Sequence, residues 1–165
     1  MANTIVAMLD RMNQKIMLIV PAWFVALLCR LAVATQFWHS VQTKISGWEL
    51  FGQSWKVWDL SASTFMLFEN EYTVPLLPPD VAAYMATFGE FFLSIGIVLG
   101  LLTRLSAIGL LVMTTVIQLF VYPDAWGEHI LWAALLVYLI RNGGGSLSID
   151  HWLQRKGETK HAGAA

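Results

Sequence analysis

Arg30 and Glu90 stand inside long apolar runs of this 165-residue chain. A charge in hydrocarbon is costly, so such a residue is usually paired, faces a cavity, or both. Other groups able to bond or to exchange protons are spaced around them. Gln36, His39, Ser40 and Thr43 fall at i, i+3, i+4 and i+7, one stripe of a helix. Thr87, Glu90 and Ser94 share a second stripe, Thr114 and Gln118 are i and i+4, and Glu128 and His129 open a further apolar run. Glu90 is the candidate proton-handling residue. Arg30, Gln36, His39, Thr87, Gln118, Glu128 and His129 are candidates to line a pocket with it.

Other chemistry is poorly supplied. His39 and His129 with Glu128 and Glu90 would suit iron, zinc or copper. Their spacing matches no ligand motif, and neither histidine has a paired Glu-x-x-His pattern, so no metal or haem is expected. Gly143-Gly144-Gly145 follows a helix instead of opening one, which marks helix termination and not a phosphate loop. Cys29 is the single cysteine, so an intrachain disulfide and a C-x-x-C thiol relay are both excluded.

The elements that must position these groups are membrane helices. The chain is 57% hydrophobic and 13% charged, against roughly 45–50% and about 25% in soluble domains. Too few charges remain to coat a soluble surface. Net charge is −1, which gives no pull toward nucleic acid. The reading is an all-α membrane protein, a four-transmembrane-helix bundle in a single domain over 1–165. The helices run over about 15–42, 81–102, 105–122 and 126–140, with an outer connection over 43–79 and a cytoplasmic tail over 141–165. A span needs about 20 mostly apolar residues, which the last helix falls short of. Ala32-Val33-Ala34 resembles a signal-peptidase site, but Arg30 precedes it and apolar character resumes after it, so the segment is expected to remain a helix. Arg11, Lys15, Arg104, Arg141, Arg155, Lys156 and Lys160 fall on one side, Lys44 and Lys56 on the other. Both termini are therefore expected in the cytoplasm, with the chain in the bacterial inner membrane.

Helix rise puts Arg30 about 21 Å above Ile16 and Glu90 about 14 Å below Val81. In a core roughly 30 Å thick their levels differ by about 5 Å. Side chains lean toward the helix N-terminus, so the two lean toward each other and an Arg30–Glu90 ion pair is expected. That pair reads either as a staple between helices or as the charged floor of a cavity. In the connection, Trp48, Phe51, Trp55 and Trp58 recur at i, i+3, i+7 and i+10. This predicts an interfacial amphipathic helix, with Trp48, Trp55, Trp58 and Tyr72 as candidate partner or interface residues. Membrane lipids, and either a protein partner or a second copy of the chain, are the expected partners.

The runs Glu71-Tyr72-Thr73-Val74-Pro75-Leu76-Leu77-Pro78-Pro79, Ala86-Thr87-Phe88-Gly89-Glu90, Leu99-Gly100-Leu101-Leu102-Thr103-Arg104-Leu105 and Gly143-Gly144-Gly145-Ser146-Leu147-Ser148-Ile149-Asp150 resemble the DoxX family of small bacterial membrane proteins. Arg30-Leu31-Ala32 and Phe37-Trp38-His39-Ser40 fit as well. The resemblance implies a four-helix inner-membrane bundle and a link to quinone-dependent oxidation or stress response, since the family is named after the small subunit of a thiosulfate oxidoreductase. Glu90, Arg30 and Tyr72 carry over. The chain departs at Ser40-Val41, where the family usually has Ser-Gly ahead of the lysine. The expected function is a redox-associated accessory subunit with an outward-facing polar pocket for a quinone. The alternative is a non-enzymatic scaffold of a membrane or periplasmic stress-response complex. Solute transport is a weaker third reading, because the inner half lacks a polar path.

Overall fold

A computed structural model describes residues 2–72, 74–75 and 77–162, and side chains over 5–157 apart from positions 73 and 76. The end of the expected tail, 163–165, and Thr73 and Leu76 of the run from Glu71 to Pro79 lie outside the described residues. The elements are α1 (Ala2–Ile19), α2 (Ala22–Lys44), β1 (Glu49–Leu50), β2 (Gln53–Ser54), α3 (Ala62–Asn70), α4 (Pro79–Leu99), α5 (Thr103–Phe120), α6 (Trp126–Asn142) and α7 (Ile149–Ala162).

The helices α2, α4, α5 and α6 pack in a ring, α2 on α4, α4 on α5, α5 on α6 and α6 on α2. Val33, Ala34, Phe37, Ile97, Ala107, Leu110, Leu136 and Leu139 fill its centre. Three of the four, α2, α4 and α5, are long and apolar enough to cross a membrane; α6 has 17 residues. Their outward faces carry large exposed apolar side chains, including Leu28, Leu31, Phe92, Leu105, Val112, Leu119 and Leu131. In water such a girdle would be an aggregation surface; in lipid it is the ordinary exterior.

The first expected helix is two. Proline lacks the N–H that continues a helix, and Pro21 separates α1 from α2. The α1 side chains from Ile5 onward are exposed, with Ile5, Leu9, Met12 and Ile16 along one stripe.

The expected amphipathic helix over Trp48–Trp58 is instead a hairpin. Glu49 pairs with Ser54 and Leu50 with Gln53, and Phe51 and Gly52 form the turn with φ of 55° and 70°. Positive φ at both central residues is the type I′ turn, whose twist matches the strands it joins. Helix α2 holds the hairpin. Gln42 accepts from the Ser54 N–H at 2.7 Å and donates to its carbonyl at 3.1 Å, and Trp38 Nε1 donates to Gln53 Oε1 at 2.7 Å. The aromatic spacing was helical, but the glycine turn and these cross-links decide the outcome.

Candidate functional site

Glu90 is on α4, buried to 2% exposure. Its partner is Lys44, the last residue of α2, whose Nζ donates to Oε1 at 3.1 Å and to Oε2 at 2.9 Å. The lysine folds back over one turn and also donates to Ser40 Oγ. The long flexible stem lets the ammonium at the helix end reach back into the bundle, where Glu90 and Ser40 offset the loss of water. Lys44 and Glu90 form a buried salt bridge.

Arg30 is not that partner, contrary to the expectation from helix depth. It is as buried as Glu90 but lies near the other end of the bundle. Its Nε donates to the Ile97 carbonyl at 2.8 Å, Nη1 to those of Gly144 at 3.1 Å and Leu147 at 2.8 Å, and Nη2 to that of Val98. Ile97 and Val98 belong to the last turn of α4, where carbonyls have no helical partner and the helix dipole is negative. One guanidinium therefore closes α4 and ties it to the glycine loop after α6. Asp150 completes this end, accepting from the N–H groups of Leu102 and Thr103 at 2.7 and 2.8 Å and so capping α5. These contacts make Arg30 a structural clasp.

Two cavities flank the Lys44–Glu90 pair at the hairpin end. The larger, about 680 Å³, lies between α2, α5 and α6 and is lined by Gln36, Phe37, Ser40, Glu90, Tyr122, Glu128, His129 and Trp132 among others. The smaller, about 290 Å³, lies between α4 and α5 under α3, and is mainly apolar. Tyr72 lines the smaller and bonds Tyr122 hydroxyl to hydroxyl at 2.9 Å. Burial, then that bond, pushes the Tyr72 phenol pKa up, so it stays neutral at ordinary pH.

Gln118 backs the larger cavity. Its Nε2 donates to the Pro123 carbonyl at 2.6 Å, and its Oε1 lies 2.7 Å from His129 Nδ1. A carbonyl can only accept, so the amide nitrogen must face Pro123 and the amide oxygen must face the imidazole. Nδ1 therefore carries the proton, and a neutral His129 offers Nε2 as an acceptor.

Of the sequence candidates, Gln36, Glu90, Glu128 and His129 meet around one cavity, with Gln118 behind them. His39 does not join them; it is exposed and does not line the cavity. Thr87 is fully buried and donates to the Ala83 carbonyl, as a threonine within a helix often does. Trp48 and Trp58 are exposed, whereas Trp55 packs on Trp38 and Phe91. Among the described residues no three His, Cys, Asp or Glu side chains gather as a metal-ligand set. Sequence reasoning missed Lys44 as the ion-pair partner and Tyr122 as a wall. The signal for Lys44 was its position one turn after Ser40 at the end of an apolar helix.

Residues 25–123 match the DoxX family. The chain belongs to that family. The match runs from α2 through the end of α5 and takes in Lys44, Tyr72, Glu90 and Tyr122, while Glu128 and His129 of this DoxX protein lie beyond it. Family and apolar helices together make it a membrane protein. An uncharacterized protein of Haemophilus influenzae is 24% identical over 123 residues, 68% of this chain and 81% of the relative. No solved structure matches.

Proposed function

We propose that this DoxX protein is a redox-associated accessory subunit that binds the head of a quinone in the larger cavity. The reading rests on one observation: a space of about 680 Å³ brings Gln36, Glu90, Glu128 and His129 together beside aromatic and aliphatic walls. Small-molecule sites occupy roughly 300–1,000 Å³, apolar with a few convergent polar groups. The donor set fits a quinone. Gln36 can donate to a carbonyl, His129 Nε2 can accept from the hydroxyl of the reduced form, and the Lys44–Glu90 pair can hold or release a proton. A bound quinone would supply the electron chemistry; the protein's groups bind, orient and exchange protons. In this arrangement α2, α4, α5 and α6 all cross the bacterial inner membrane, the hairpin end faces outward, and both termini are cytoplasmic, as the lysine and arginine distribution favours.

The test is the melting temperature of the detergent-purified protein against a methyl-substituted benzoquinone and its quinol. Both should raise it, and Gln36→Leu or His129→Phe should weaken the response by about tenfold, the worth of roughly one good polar contact. If the protein purifies without quinone and neither compound moves the transition, the assignment is wrong.

A second reading has its own observation. Phe51 is 92% exposed and sits at φ 55°, a conformation that is costly for a bulky residue. With Trp48 and Trp58 also exposed on either side of the hairpin in sequence, the connection favours a scaffold whose aromatic side chains hold a protein partner or a second copy. In that case Trp58→Ala and Phe51→Ser should abolish co-purification of the partner, and Glu90→Gln should leave it intact.

A further inference from the structure

The smaller cavity is not used by the quinone head. Its walls are Met85 and Ala86 on α4 and Val112, Met113 and Val116 on α5. Met85 and Val112 are 59% and 58% exposed, and both helices are apolar enough to face lipid. The groove is therefore open sideways to acyl chains. Its inner wall carries polar groups among aliphatic ones, and there Ser40, Glu90, Ile117, Val121 and Tyr122 line the larger cavity as well. The two spaces abut across the same side chains. One offers hydrogen bonds; the other offers hydrocarbon and an exit to the bilayer.

That juxtaposition matches a molecule with a polar head and an apolar chain. A chain held beside the polar groups of the larger cavity would leave its methylenes wet and forgo their burial. The groove removes that cost on the other side of the same side chains. At about 290 Å³ it suits one chain, and its roof is fixed by the Tyr72–Tyr122 bond, which ties the α3–α4 connection to the end of α5.

We propose that the two cavities form one bipartite site for a single-chain amphiphile, with the head beside Glu90 and the chain leaving to lipid between α4 and α5. The assignment rests on the quinone reading and adds the route of the tail. Ligand enters and leaves laterally, within the membrane, and the Lys44–Glu90 pair marks the boundary between head and chain.

The test compares decyl-substituted and methyl-substituted benzoquinones on the full chain in detergent, read as melting-temperature shift against concentration. Met85→Trp and Val112→Trp each place an indole in the groove from an exposed position on opposite walls, so either serves if the other lowers the unliganded transition. Detergent takes up the decyl chain equally in every sample, so the ratio of variant to wild type isolates the groove. The half-saturating concentration of the decyl compound should rise about tenfold in the variants, equivalent to roughly two methylenes withdrawn from burial. The methyl compound should bind the variants as it binds wild type. A decyl response that both variants leave unchanged, while wild type binds both quinones, overturns the chain route and leaves the head site standing. Failure of wild type to respond to either compound overturns the head site, and the chain route with it.

Discussion

Lys44 and Glu90 show how a buried charge is tolerated and why the loss of either member is costly. Each ion is desolvated, and mutual attraction with both carboxylate oxygens engaged offsets that cost. Removing one partner strands the other. Lys44→Met should therefore destabilise the protein by about 3–5 kcal/mol, and Lys44→Met with Glu90→Met should recover most of the loss, because apolar replacement of a whole buried pair is often neutral. Chemical unfolding of Lys44→Met, Glu90→Met and the double variant in mixed micelles gives the coupling; simple additivity would show that the two groups do not depend on each other. Arg30 obeys the same rule with different partners. Its fork reaches carbonyls of α4 and of the glycine loop at once, a geometry that a lysine's single nitrogen cannot reproduce. The two intramembrane charges thus do different work: one clasps a helix end, the other borders a cavity.

At the scale of elements, the turn after α4 is where substitution should matter most. Gly100 ends the helix at φ 66°, and a Cβ there would lie 2.4 Å from Ser148 Cβ and 2.9 Å from Ser148 Cα. The left-handed conformation costs a residue with a side chain about 1–2 kcal/mol, and overpacking adds about 1–3. Gly100→Ala should cost roughly 3 kcal/mol by the same unfolding assay. Gly127→Ala, on α6 with open space around it, should change stability by no more than about 1 kcal/mol. Equal effects at the two positions would mean that the contact of Gly100 with Ser148 is not made. The hairpin shows the same dependence on backbone conformation from the other side: its turn is set by Phe51 and Gly52, and α2 secures it through Gln42 and Trp38.

The whole molecule is a polarised ring. Its glycine end is cross-linked by Arg30, Asp150 and tight glycine contacts, with a pocket of about 390 Å³ between the glycine loop and the start of α5, while its hairpin end is hollow on both sides of Glu90. The cross-links hold the four helices in register; the cavities beside Glu90 leave room for a ligand. If α2, α4, α5 and α6 all cross the membrane, the number of crossings is even and the termini share a side. A reporter active only in the cytoplasm, fused after Gly157, should be active, and the same reporter inserted in the turn at Gly52 should be silent. A reporter active only outside should show the reverse. Activity of the cytoplasmic reporter at both positions would break the four-span topology.

The apolar runs and their turns were enough to place α4, α5 and α6 within about three residues at each end, because burial periodicity is a local property of the chain, but the first expected helix, 15–42, ran through the break at Pro21 that separates α1 from α2. The same runs marked Arg30, Gln36, His39, Thr87, Glu90, Gln118, Glu128 and His129 as pocket candidates; Gln36, Glu90, Glu128 and His129 line one cavity with Gln118 behind His129, while Arg30, His39 and Thr87 lie elsewhere. The partner of Glu90 was decided only in three dimensions. Lys44 is 46 residues away, and helix rise fixes depth but not rotation about the axis or the direction in which a flexible stem bends. The hairpin was hidden for a related reason. Aromatic spacing read as one helical face, but two positive φ angles and the hydrogen bonds from α2 outweighed it. Local pattern names the elements; which side chains meet depends on how rigid helices are turned against each other, and that is set by the whole packed ring.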